Sequence, residues 1–297
     1  MSRDYFIIMV YVLVCENYQA LVAQQSLRQR GFPPALSDEE VITIEICGEY
    51  FGLSQDEDIF DYFCTHYQSF FPQLRERTSF VRQAANLWAI KARMQQRLTH
   101  ISGQAADEVQ VIDTLPLPVC TYTRSRRDRC FKPVADYGYC AAKKMHYYGF
   151  KLGLRISRSG MIIHYPLLPA RPHDSQLLDD LVAGFEGIVP ADKGFIDGPR
   201  QQNLACKRYV ELVVPTRKNM AVKPPLAILK TCNRWRKLVE TVGSHLTEHY
   251  HIAKTRAHDL WHYQHRLIRK VLSHTICVFI NLQLGRPPLH LDDLVVA

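Results

Sequence analysis

The chain has 297 residues, 47% of them hydrophobic and 22% charged, which excludes a disordered or collagen-like chain and fits one large globular domain or two ordinary ones. A formal charge of +8 favours an acidic partner, nucleic acid before a membrane surface. That charge is uneven: residues 37–62 hold nine acidic side chains and no Lys or Arg, which leaves a formal +17 on the remainder to meet a polyanion.

The elements follow in chain order. The apolar run at residues 5–15 is too short to span a bilayer. It also follows Asp4 without a small-residue cleavage site, so it reads as a core-facing helix rather than a signal or a membrane anchor. Ser37 followed by Glu40 is a capping box that starts a helix running towards Phe51. Gly52 and Ser54 break that helix and cap a shorter second one. Two helices around a Gly-containing turn suggest helix-turn-helix, but the second, QDEDIFDYF, is acidic and repels phosphate, so packing or dimerisation is the favoured role. Phe80, Ala84, Leu87, Ile90, Met94, Leu98 and Ile101 predict one long amphipathic helix with Lys91, Arg93 and Arg97 on its other face.

The pattern changes after Asp107. EVQVIDTLPL is extended, with Val109, Val111 and Asp113 on one face and Pro116 and Pro118 expected to end it. A basic loop follows, holding Arg124, Arg126, Arg127, Arg129 and Lys132. YYGFKLGLRIS and MIIHYPLLPA predict a hairpin about the turn at residues 158–160. SQLLDDLVAGFE reads as a helix with Leu177, Leu178, Leu181 and Phe185 on one face. IVPAD is a strand, PRQQNLACKRY a helix, VELVVPTR a strand, and the segment from Thr231 onward is helical. This is the element order of an RNase H-like fold: three antiparallel strands, then two crossover strands, with helices on both faces of a mixed α/β sheet. The expected division is a helical N-terminal region, 1–105, and a catalytic domain with a helical C-terminal extension, 106–297.

Nine cysteines without a CxxC pair read as free thiols in a reducing cytoplasm, not as a zinc site.

Three carboxylates fall where that fold brings chain segments together. Asp113 is expected at the exit of the first strand, Asp192 at the end of the fourth, and Glu240 in the helix after the fifth. Carboxylates that converge resist ionisation unless a cation joins them, and hard divalent ions take oxygen ligands. Each also has a plain reading: Asp113 as a turn cap, Asp192 as turn chemistry in Asp-Lys-Gly, and Glu240 as a solvated helix acid. Asp174 competes with Asp192 but reads more naturally as the cap of the helix that follows it. A supporting role for it or for His173 stays open.

The segments LSDEEVITIEICGEYFG, FFPQLRERTSFVR, VIDTLPLPVC, DYGYCAAKKMHYYGFKLGL, ARPHDSQLLDDL, ADKGFID and RKLVETVGSHLTEHYHIAKTRAHDLWHYQHRLIRKVLSHTICVFINLQLG resemble DDE-type bacterial insertion-sequence transposases, in particular the insertion sequence nine-eighty-two family. The resemblance covers nearly the whole chain. It implies an RNase H-like core whose Asp-Asp-Glu triad, here Asp113, Asp192 and Glu240, binds two Mg²⁺ or Mn²⁺ ions. It also implies an Arg four residues before the glutamate, which Arg236 matches, so that both share a helix face. The family's Tyr before that Arg and basic residue after the Glu are Asn233 and Thr247 here, a departure that touches the DNA contacts and not the triad.

The implied activity is cleavage at element ends and strand transfer into target DNA, in the bacterial cytoplasm at the nucleoid. The implied partners are double-stranded DNA (terminal inverted repeats and target) and further copies of the chain, as a homodimer or higher oligomer. Lys193, Arg124, Arg126, Arg127, Lys143, Lys144 and Lys151 are the expected backbone-tracking groups. The rival readings are a nuclease of the same fold without strand transfer and a transposon-derived DNA-binding protein that has lost catalysis.

Overall fold

The computed structural model describes residues 1–25, 33–140, 144–215 and 226–295. In chain order the helices α1 (Arg3–Val22), α2 (Asp38–Tyr50), α3 (Asp56–His66), α4 (Arg77–Asn86) and α5 (Trp88–Ile101) come first. Strands β1 (Val111–Cys120), β2 (Asp136–Cys140), β3 (Met145–Ile156), β4 (Ile162–His164) and β5 (Leu167–Pro169) follow. Then come α6 (Leu178–Leu181), β6 (Gly187–Pro190), α7 (Gly198–Arg208), β7 (Val210–Val213), α8 (Leu226–Ser244) and α9 (Leu260–Gln283). They form two compact units: residues 1–101 with 245–297, and residues 102–244. The helical C-terminal extension belongs with the N-terminal helices and not, as expected, with the sheet.

In the helical unit, α2 starts as the sequence predicts. The Ser37 hydroxyl accepts from the Glu40 N–H at 3.2 Å, and the Glu40 carboxylate accepts from the Ser37 N–H at 2.7 Å. α3 departs from expectation: its cap position is Gln55, with no side-chain cap, rather than Ser54. Its start rests instead on Asp56, Glu57 and Asp58 in the first turn, which favour the positive end of the helix dipole.

The predicted single helix over 80–101 is two helices that meet at Leu87, whose N–H turns back to the Gln83 and Ala84 carbonyls. Lys91 does not lie on the solvent face but is fully buried beside Ile90, Met94 and Leu98. The reason is charge pairing. Glu45 and Glu49, one turn apart on α2, are also buried, and Lys91 donates to Glu45 at 2.6 Å. Arg269 donates to Glu49 at 2.6 Å and to Glu45 at 3.3 Å, and Lys270 donates to Glu49 at 2.7 Å. Part of the acidic window is therefore consumed inside the protein.

α1 is longer than the apolar run within it, and at 20 residues it is long and apolar enough to cross a membrane by length and composition. Its residues Phe6, Ile7, Val10, Leu13, Val14, Asn17 and Leu21 are buried in the helical unit.

The sheet unit is built on β3. β1 pairs with it antiparallel over its length, and β2, β5 and β4 pair antiparallel with its other edge in turn. β6 and β7 are parallel to each other, and Ile188 bridges in parallel to Val109 just before β1. The strands thus form a five-stranded antiparallel sheet centred on β3 and a separate two-stranded parallel sheet, β6–β7, which the Val109–Ile188 bridge sets beside the residues that lead into β1. β2 is an extra strand that the sequence pattern did not predict.

β1 also runs on through Pro116 and Pro118 rather than stopping there. The two prolines pair with Lys151 and Gly149 at alternate positions. Lacking N–H groups, they must occupy the non-hydrogen-bonded pairs of the ladder, where nothing is lost. Gly149 permits the close approach, because a Cβ there would collide with the Leu117 carbonyl.

Leu177, Leu178, Leu181 and Phe185 are buried together as predicted, against Ile112, Val189, Phe195 and Val210. Their segment is a 3₁₀ turn followed by the single turn α6, not a continuous helix. The sheet unit holds 22 Lys and Arg against 13 Asp and Glu, whereas the helical unit holds 15 against 16. The basic excess of the chain lies with the sheet.

Candidate active site

β1 carries Asp113 as its third residue, not at its exit. The Thr114 N–H donates to Asp113 Oδ1 at 2.8 Å. Burial is the largest influence on this carboxyl, and the neighbouring charges of Asp174 and Asp192 add to it. Together they outweigh the Thr114 hydrogen bond and Arg236, and the pKa is raised to about 6.

Asp192 lies two residues beyond β6. It caps a one-turn 3₁₀ helix, Lys193–Phe195, by accepting from the Lys193 N–H at 2.6 Å. Phe195 is buried in the core and pins that turn, so the Asp192 side chain stands at the surface.

α8 buries Val239 and Val242, and one turn of the same helix presents Arg236 and Glu240. Arg236 Nη2 lies 3.1 Å from Asp192 Oδ1 and 3.7 Å from Glu240 Oε1. A single guanidinium nitrogen thus joins the end of β6 to α8. Of the three expected triad residues, Asp192 and Glu240 share Arg236 as a partner, and Asp113 is connected to them only through the charges of Asp192 and Arg236 acting on it.

Among the described residues, no three His, Cys, Asp or Glu side chains are placed to hold one metal ion. Asp113, Asp192 and Glu240 fit a hard divalent ion in donor chemistry, since all offer carboxylate oxygen. As placed, however, the cation between Asp192 and Glu240 is Arg236.

Asp174 is the residue that sequence reasoning undervalued. The cap of its turn is His173, whose Nδ1 accepts from the Ser175 N–H. Asp174 Oδ1 instead accepts from Thr114 Oγ1 at 3.0 Å and from Lys151 Nζ at 2.9 Å. Lys151 also donates to the Pro172 carbonyl at 2.8 Å. This ties the 174–177 turn to the residue next to Asp113 and leaves Lys151 engaged within the protein. The available signal was the open, competing position that Asp174 held in the sequence.

Of the other expected contact groups, Lys193 and Lys144 are exposed, the latter with a left-handed backbone at φ 47°. Arg124, Arg126 and Arg127 are exposed in the 3₁₀ turn Tyr122–Arg127 after β1. Lys143 lies outside the described residues.

No curated protein and no solved structure matches the chain. The family described as Transposase DDE domain matches residues 103–260, more than half of the chain and inclusive of Asp113, Asp192, Arg236 and Glu240. The chain therefore belongs to the transposase DDE domain family.

Proposed function

We propose that this protein cuts DNA at the ends of a mobile element and joins the exposed 3′ end to target DNA, as an enzyme of the insertion sequence nine-eighty-two type. The observation that carries the reading is the meeting of Asp192, which follows β6, with Arg236 and Glu240 of α8, together with the charge of Asp192 acting on the half-buried Asp113 of β1. The antiparallel sheet of β1 to β5, with the parallel pair β6–β7 bridged to the residues that lead into β1, supports an RNase H-like core.

Asp113, Asp192 and Glu240 would hold Mg²⁺ or Mn²⁺, which when bound activates the attacking oxygen and stabilises the leaving one at phosphorus. Arg236, once turned from the two carboxylates, is placed to hold a phosphate of the strand being cut. The Thr114–Asp174–Lys151 set holds β1 and the 174–177 turn in register, so that Asp113 meets the DNA in one orientation. The excess of Lys and Arg in the sheet unit supplies the sequence-independent attraction for duplex DNA. Two element ends need at least two active sites. The exposed apolar side chains Tyr5, Ile8 and Val12 of α1 fit the pairing of copies expected from this need.

The test is cleavage of element-end duplex with Mg²⁺, with strand-transfer products scored separately. Asp113→Asn, Asp192→Asn and Glu240→Gln are each expected to lose cleavage by at least about a hundredfold while still binding the duplex. Normal turnover by Asp192→Asn would overturn the assignment.

A further inference from the structure

We propose that β2, the start of β3 and the turn before them form a stacking surface for unpaired DNA bases. This rests on DNA being the substrate, and it adds a class of partner that duplex cleavage alone does not require.

The rings are aligned by the sheet. Tyr137 and Tyr139, two residues apart in β2, point to the same face of the strand, and Gly138 between them lies against the buried Tyr147; a Cβ at Gly138 would come within 2.6 Å of that ring. The register sets Tyr137 opposite Tyr148 and Tyr139 opposite His146, with ring centroids 5.1 and 4.9 Å apart. Tyr122, from the preceding turn, sits 5.5 Å from Tyr137 and 5.9 Å from His146. Aromatic rings in such contact are ordinarily a core. Here Tyr122 and Tyr139 each remain 54% exposed and Tyr137 43% exposed.

The surroundings are cationic. Arg124, Arg126 and Arg127 follow Tyr122 in the same turn, are exposed, and make no ion pair among the described residues. The one acid within residues 122–132, Asp128, has both oxygens engaged by the Cys130 and Phe131 N–H groups. Ring faces in a row beside unpaired arginines match a strand whose bases stack while its phosphates run along the cations. A duplex hides its base faces inside its own stack and offers this surface only phosphates, so the fit is to frayed or single-stranded DNA.

The experiment uses the full chain in EDTA with a short single strand carrying 2-aminopurine, with the same sequence as duplex and as RNA. The expected result is quenching of the single strand, and in Tyr122→Leu/Tyr139→Leu a loss of quenching with affinity weakened about tenfold or more. Duplex affinity is expected to stay the same in that variant, and its thermal transition serves as the control for folding. Arg124→Gln/Arg126→Gln/Arg127→Gln is expected to weaken both DNA forms and to flatten the salt dependence. Equal single-strand affinity in the wild type and the tyrosine variant, absent quenching, or stronger binding of RNA than of DNA would overturn the proposal. Binding is read without metal, so its failure with cleavage intact sinks only this surface. Failed cleavage with quenching intact sinks only the proposed reaction.

Discussion

Arg236 occupies the place where two carboxylates face each other, and that single residue sets the character of the site without metal. Its ion pairs with Asp192 and Glu240 are partly solvated, and such pairs are worth less than about 1 kcal/mol each. Arg236→Gln is therefore expected to bind Mn²⁺ between about 1.5- and 5-fold more tightly than wild type in the absence of DNA, as read by electron paramagnetic resonance of free Mn²⁺. A weaker affinity would mean that Arg236 assists the ion instead of competing with it. Asp192 stood out in the sequence because it closes a short apolar strand, whereas Asp113 lies near the start of its strand and Glu240 inside a helix. Asp174 did not stand out, because its partners Thr114 and Lys151 come from two other strands. A capping reading satisfied it locally.

At the scale of elements, pairing overruled pattern. Helical spacing placed Lys91 on a solvent face, yet α5 turns it towards Glu45 on α2, with both side chains fully buried. Removing one member of a buried pair leaves an uncompensated charge, so Lys91→Ala is expected to destabilise the helical unit by about 3–5 kcal/mol. Urea denaturation checks this, and a loss below about 1 kcal/mol would contradict it. Glu45→Gln combined with Lys91→Met is expected to recover part of the loss, with the same measurement as readout. β1 and α2 show the two extremes of legibility. The capping box of α2 lies within four residues and was read correctly. The continuation of β1 through Pro116 and Pro118 depends on which edge of the strand faces β3, and a one-dimensional pattern does not carry that. β2 was missed for a related reason, because its five residues pair only through β3.

For the whole molecule, the alternation of strands and helices after β5 was legible because strand alternation and helical spacing are local, whereas β2 was not. Nor was the return of the C-terminal helix to the N-terminal ones. Arg269 and Lys270 meet Glu49 across more than two hundred residues. The helical unit also buries His265 and His274 and half-buries His245 and His249, all four held towards the uncharged form. Burial pushes His274 down to about 3 and lowers His245, His249 and His265 as well. A histidine whose folded pKa is depressed adds stability that is present above the unfolded pKa, near 6.5, and is lost as pH falls below it. Between pH 6.5 and 5 the unfolding free energy is expected to fall by about 1.4 kcal/mol per pH unit for His274, with the other three histidines adding loss in the same direction. Asp56 adds a second loss at lower pH. Its burial alone would raise its pKa, but Arg269 and Arg266 hold it well below the usual carboxylate range. Urea titrations at several pH values measure both, and His274→Phe is expected to flatten the upper limb. A stability that rises on acidification would contradict the buried, neutral state of these rings.

The most direct measurement of the central claim is an anomalous difference map from a crystal of the protein with element-end DNA and Mn²⁺. Ion peaks at roughly 2.1 Å from carboxylate oxygens of Asp113, Asp192 and Glu240 are the expected result, with Arg236 turned from Asp192 towards a phosphate. Manganese bound elsewhere, or Asp113 outside the coordination of any ion, would contradict it.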